Sequence, residues 1–192
     1  MMLFYSGAKA ANGTQPYSWL SLGGYPSISP IKNSLKNSFF NDVTINEVKN
    51  KKTVYRLMVL KNTTSGTITN IKVYIEPATG CICKFEGALV EPAIDSCNNP
   101  IFENVFTEEE APLSAVFTNM ELVGNALTIP SLAAGVNIGI WMKRIINDEN
   151  TDYFDADKNF KLDTCDVLFA ANDDPTNFYN KKLDSFSVKI DY

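Results

Sequence analysis

The stretch 54-VYRLMVLKNTTSGTITNIKVYIEP-77 holds two apolar runs joined by a polar, Thr-rich link. In an extended chain successive side chains alternate between faces. Tyr55, Leu57 and Val59 therefore share one face of the first run, and Val54, Arg56, Met58 and Leu60 the other. Both faces are largely apolar, which predicts a strand covered on both sides and so central in its sheet. The link 61-KNTTSGTIT-69 supplies Asn62 and Gly66 for turn geometry. It leads to a return strand, read as the partner of the first, with Ile71, Val73 and Ile75 inward and Asn70, Lys72 and Tyr74 outward.

The same organisation recurs in 128-TIPSLAAGVNIGIWMKR-144, where a proline and an Ala-Ala-Gly turn feed a strand with Ile138, Ile140 and Met142 on one face and Trp141 and Lys143 on the other. Further short runs bounded by turn residues lie at 2–6, 17–22, 43–48, 81–88, 113–118, 165–170 and 185–191. One helical turn is expected over 31–40, from the spacing of Ile31, Leu35 and Phe39. The fold expected is all-β: an Ig-like antiparallel β-sandwich, jelly-roll-like, in a single domain over residues 1–192. The segment 91–112, with three prolines, is more than a minimal sandwich requires and reads as an extended loop or arm. A C-terminal strand segment occupies 147–192.

At 192 residues and 45% apolar composition, the chain can bury a substantial core. Nothing approaches 18 uninterrupted apolar residues, so no membrane partner is expected. The start, 1-MMLFYSGAKA-10, lacks the basic flank and apolar length of a secretion signal and reads as a first strand. Cys81 and Cys83 would sit on one strand face, while Cys97 and Cys165 are scattered, and histidine is absent. That pattern fits free thiols in a reducing cytoplasm better than a zinc site. Asn-x-Thr sequons at Asn12 and Asn62 are taken as accidental.

The net charge of −5 is unevenly spread. Residues 32–61 carry seven basic and two acidic side chains, residues 62–121 two and nine, and residues 147–192 five and eleven. Such polarity suits head-to-tail complementarity between copies in a ring. The contact candidates are Lys49, Lys51, Lys52 and Arg56 on the basic side and Glu108, Glu109 and Glu110 on the acidic side. An acidic chain with one modest lysine cluster does not suit direct nucleic-acid readout.

The segments 19-WLSLGGYPSISPIKNSLKNSFFNDVT-44, 55-YRLMVLKNTTSGTITNIKVYI-75 and 132-LAAGVNIGIWMKRII-146, in that order, resemble a family of virion structural proteins of tailed bacteriophages, closest to those of crAss-like short-tailed phages. The resemblance covers about 150 of the 192 residues and leaves the last 45 unmatched. It implies a non-enzymatic particle component that folds in the host bacterial cytoplasm and ends in the virion. The role implied is a homo-oligomeric neck or tail-barrel ring, twelvefold or sixfold, contacting the portal and neighbouring ring or tail proteins. The runner-up is a capsid-surface decoration or fibre-attachment protein.

A different class of reading comes from 155-DADKNFKLDTCD-166. Asp155, Asp157, Asn159, Asp163 and Asp166 fall at positions 1, 3, 5, 9 and 12 of a loop that Ca²⁺ could use. Phe160 stands where the turn wants glycine, and Asp166 where glutamate is usual, so the loop departs from an EF-hand. With calcium the chain would be a receptor- or glycan-binding module, with Tyr153, Phe178 and Tyr179 as stacking residues. No nucleophile elbow, phosphate loop or zinc signature is present, and no catalytic residue is assigned. No cofactor other than calcium is suggested.

Overall fold

The computed structural model describes residues 1–7, 21–31, 39–40, 47, 50–77, 83–146 and 186–192. Its strands are β1 (Met2–Gly7), β2 (Tyr25–Pro30), β3 (Thr53–Lys61), β4 (Ile68–Pro77), β5 (Cys83–Val90), β6 (Ala93–Ile94), β7 (Pro100–Ile101), β8 (Thr118–Asn119), β9 (Leu127–Leu132), β10 (Asn137–Ile146) and β11 (Phe186–Asp191). One six-stranded sheet has the order β2-β1-β3-β10-β5-β8, a second has β11-β4-β9, and β6 and β7 form a small hairpin. All pairings in these sheets are antiparallel.

The chain is all-β, and its two main sheets face each other across one core. Val54, Met58 and Leu60 of β3 and Ile138, Ile140, Met142 and Ile146 of β10 meet Ile71, Val73 and Ile75 of β4 and Ile129 and Leu132 of β9. As the alternation requires, β3 is buried on both faces and lies between β1 and β10. The long β3–β10 register, from Asn137 opposite Lys61 to Ile145 opposite Thr53, fixes which side chains point inward.

The link 61–69 does something other than close a strand pair. β3 and β4 belong to different sheets, so the link carries the chain across the sandwich. Asn62 holds that corner and is wholly buried. Its Nδ2 donates to the carbonyls of Gly66 and Leu132, both at 2.8 Å, and its Oδ1 accepts from the Thr64 amide at 3.0 Å and hydroxyl at 2.8 Å. Its backbone meets the facing corner, receiving the Gly135 amide at 2.9 Å and donating to Val136 at 3.1 Å.

The outer face of the larger sheet is covered as well. Leu57, Val59, Ala88, Val90 and Trp141 pack under Phe102 and Val105. The segment read as an arm over 91–112 thus lies along its own sheet. Gly24 and Phe102 exchange backbone bonds at 2.8 and 3.3 Å, and the Val105 amide donates to Leu22 at 2.9 Å. Two glycines permit the close approach. A side chain on Gly139 would come within 2.8 Å of the Phe102 ring, and one on Gly23, at φ +97°, would meet the Glu103 carbonyl.

Two other strand expectations differ. The run 113–118 is a loop except at Thr118, where β8 begins, because Ala115 and Phe117 pack down while Leu113 and Val116 face out. β2 was not anticipated, since Pro26 and Pro30 punctuate it; at a sheet edge those prolines are tolerated. Pro130 likewise lies in edge strand β9. The helical turn expected at 31–40, the run 43–48 and the run 165–170 fall wholly or mainly outside the described residues. Among the described residues no helix is long and apolar enough to cross a membrane.

Candidate interaction surface

Lys52, Arg56, Glu108 and Glu109, expected at opposite poles of a ring contact, meet within one chain. Arg56 points inward from β3, is 2% exposed, and donates to the Phe39 carbonyl and to Glu108 Oε2 at 2.9 Å. Its guanidinium lies 5.4 Å from the centre of the Phe40 ring, on which Arg144 also stacks at 4.8 Å. Lys52 Nζ pairs with Glu47, Glu108 and Glu109 at 3.1, 3.0 and 2.9 Å. The Glu108 carbonyl accepts the Tyr55 amide at 2.7 Å, which pins the acidic run beside β3.

Electrostatics follow from this packing. Burial pushes the Glu108 carboxyl up, but hydrogen bonds from Arg56 and Lys52 outweigh it and hold the group below the ordinary carboxylate range. Glu109 is also lowered, chiefly by its hydrogen bond from Lys52. Desolvation would lower Lys52, yet the hydrogen bonds it donates to three carboxylates raise it above an ordinary lysine. Glu110 accepts the Phe106 amide at 2.7 Å, and Lys51 is exposed at φ +49°. Lys49 lies outside the described residues. Sequence separation had suggested spatial separation, but the fold of 102–110 over β3 cancels it.

Among the side chains this excursion exposes are three large apolar ones. Phe106, Leu113 and Val116 are 85%, 96% and 83% exposed. Glu103 closes the loop beneath them, accepting the amides of Leu113 at 2.7 Å and Ser114 at 2.8 Å and the Ser114 hydroxyl. Burial alone would raise the Glu103 carboxyl, and these three donors instead hold it low. On the inner side Phe117 packs against Tyr55, ring centres 5.4 Å apart, and Lys143 Nζ lies 5.8 Å from the Phe117 ring centre. Single exposed apolar side chains are ordinary; here three large ones stand out on one excursion that Glu103 ties down. The sequence carries a signal for it in the run 113–118, whose apolar alternation predicts a strand.

The calcium candidates Asp155, Asp157, Asn159, Asp163 and Asp166, with Tyr153, Phe178 and Tyr179, lie outside the described residues. Among the described residues no group of three or more Cys, Asp or Glu is arranged to hold a metal ion. Cys83 is buried and Cys97 is exposed, while Cys81 and Cys165 lie outside the described residues. Comparison with protein-family models, with curated proteins and with solved structures finds no match to this chain.

Proposed function

We propose that this chain is a non-enzymatic structural component of a tailed-phage virion, a neck or tail-barrel protein that forms a ring through lateral contacts between copies. The sequence resemblance motivates the class. The observation that carries the assembly reading is the tied-down apolar excursion with Phe106, Leu113 and Val116 outward. Lys52, Arg56, Glu108 and Glu109 are ion-paired within the chain, so the contact between copies is apolar rather than a match of opposite charges. The prolines of edge strands β2 and β9 also favour packing through loops over sheet extension.

Native mass across protein concentration tests this reading. A discrete oligomer is expected, and it persists at about 0.5 M salt, where charge contacts beyond a few ångströms are screened. Phe106→Ser with Leu113→Ser shifts the protein toward monomer. A monomer at every concentration, or an oligomer that salt dissolves and the double substitution leaves intact, overturns the proposal. Capsid-surface decoration or fibre attachment is the alternative role, in which the same surface meets another virion protein.

A further inference from the structure

The segment that carries Phe106 runs the length of the larger sheet. Asn99 and Pro100 stand at the Lys61 end of β3, Phe102 lies over Gly139, and the Glu108 carbonyl meets the Tyr55 amide near the other end. From Tyr55 to Lys61 an extended strand advances roughly 20 Å, at about 3.3 Å per residue. One tied-down segment therefore presents an exposed ring at one end of the sheet and walls a cleft at the other.

The cleft holds about 440 Å³ between Phe4 of β1, Tyr25 and Ile28 of β2, and Pro100. Ile28 is 72% exposed, and Lys61 is the charged residue of the lining. Asp95 fixes the walls, accepting the Tyr25 hydroxyl at 3.1 Å and the Asn99 side-chain amide at 3.2 Å. The opposite end of the sheet carries the complement. Phe106 is 85% exposed, and the exposed Glu110 carboxylate accepts the Phe106 amide at 2.7 Å, so a ring and an anion are presented together.

We propose that this cleft receives Phe106 of a second copy of the chain, with Glu110 of that copy set against Lys61. The inference rests on the assembly reading and names the surface that the excursion meets. A cleft of this volume holds small ligands and so has room for an aromatic ring. Apolar contact supplies the affinity, while an ion pair at the rim sets orientation and adds little, which keeps the contact resistant to salt. Ring and cleft lie too far apart to meet within one copy. Each copy therefore offers its ring to one neighbour and its cleft to the other, a heterologous contact that closes into a ring of subunits when the rotation per step allows.

Native mass of single and mixed variants tests the assignment. Phe106→Ser removes the ring and Ile28→Asp places an acid in the cleft; both positions are exposed, and melting temperatures check that both variants fold. Each variant alone is expected to associate on the order of tenfold more weakly than wild type. Mixed in equal amounts they form a heterodimer that grows no further, because the intact ring of one meets the intact cleft of the other. Lys61→Glu sets two acids together and weakens assembly, and adding Glu110→Lys restores it; this pair carries the test should Ile28→Asp lose the fold. A wild-type protein that stays monomeric overturns this inference together with the assembly reading. With an oligomeric wild type, this inference alone is overturned if folded Ile28→Asp assembles as wild type does, if the mixture gives no heterodimer, or if Glu110→Lys fails to restore Lys61→Glu.

Discussion

Removing the Asn62 side chain should destabilise the protein more than any other polar truncation among the described corners. In Asn62→Ala four hydrogen bonds vanish at once. Their losses are unequal. The Gly66 carbonyl and the Thr64 groups are exposed and can return to water, so each forfeits about 0.5–1 kcal/mol. Leu132 is 4% exposed, and its carbonyl would be stranded at about 1–3 kcal/mol. Over these four groups the sum is roughly 2.5–6 kcal/mol, a large fraction of the 5–15 kcal/mol that typically separates folded from unfolded domains. Urea unfolding should give a lower midpoint with little change in slope. The isosteric Asn62→Asp is the sharper probe, because it replaces the Nδ2 amino group and its two donated bonds by a single oxygen facing two carbonyls at 2.8 Å. That carboxyl is held above its unfolded pKa, so folding takes up a proton and the variant gains stability as the pH falls toward the unfolded value near 4. A loss below about 1 kcal/mol in Asn62→Ala, or an Asn62→Asp variant whose deficit does not shrink in acid, would refute the staple.

Three further outcomes follow from the packing. Trp141 is fully buried with its Nε1–H lacking an acceptor, so Trp141→Phe should fall within about 1.5 kcal/mol of wild type in denaturant melts while Trp141→Ala loses about 3–5 kcal/mol; equal losses would contradict this. Glu108 has a folded pKa below its ordinary 4.5, so its contribution is full above that value and disappears as pH falls through the lower folded value; Glu108→Gln should be roughly 1–3 kcal/mol less stable at pH 7, and the gap should close in acid melts below about pH 4. Cys97 is exposed and Cys83 buried, so peptide mapping after thiol labelling should find Cys97 modified in the native protein and Cys83 only after unfolding.

The sandwich was legible because burial on both faces of β3 is written in its residues, as is the inward set of β10. Alternation says which side chains are inside, yet it is silent on which strand lies beside which. The 61–69 link shows the gap: Asn62 and Gly66 mark a change of direction, but hairpin and sheet-to-sheet crossing use the same residues. Charge runs along the chain are likewise silent on which charges meet in space. Arg56 on an inward face needed an anion, and Glu108, 52 positions later, supplies it only because Phe102 and Val105 anchor the intervening chain to the sheet.

The place of β10 in the sheet has a consequence for synthesis. β1 can join β3 early, but the other edge of β3 and the inner edge of β5 are both closed by β10 alone. Residues 62–136 separate β3 from that partner. During translation, at about 5–20 residues per second, two strongly apolar strands wait for seconds with unsatisfied edges. A nascent chain shorter than residue 137 is thus an adhesive species, and ribosome-bound intermediates of this protein are where chaperones and misassembly compete.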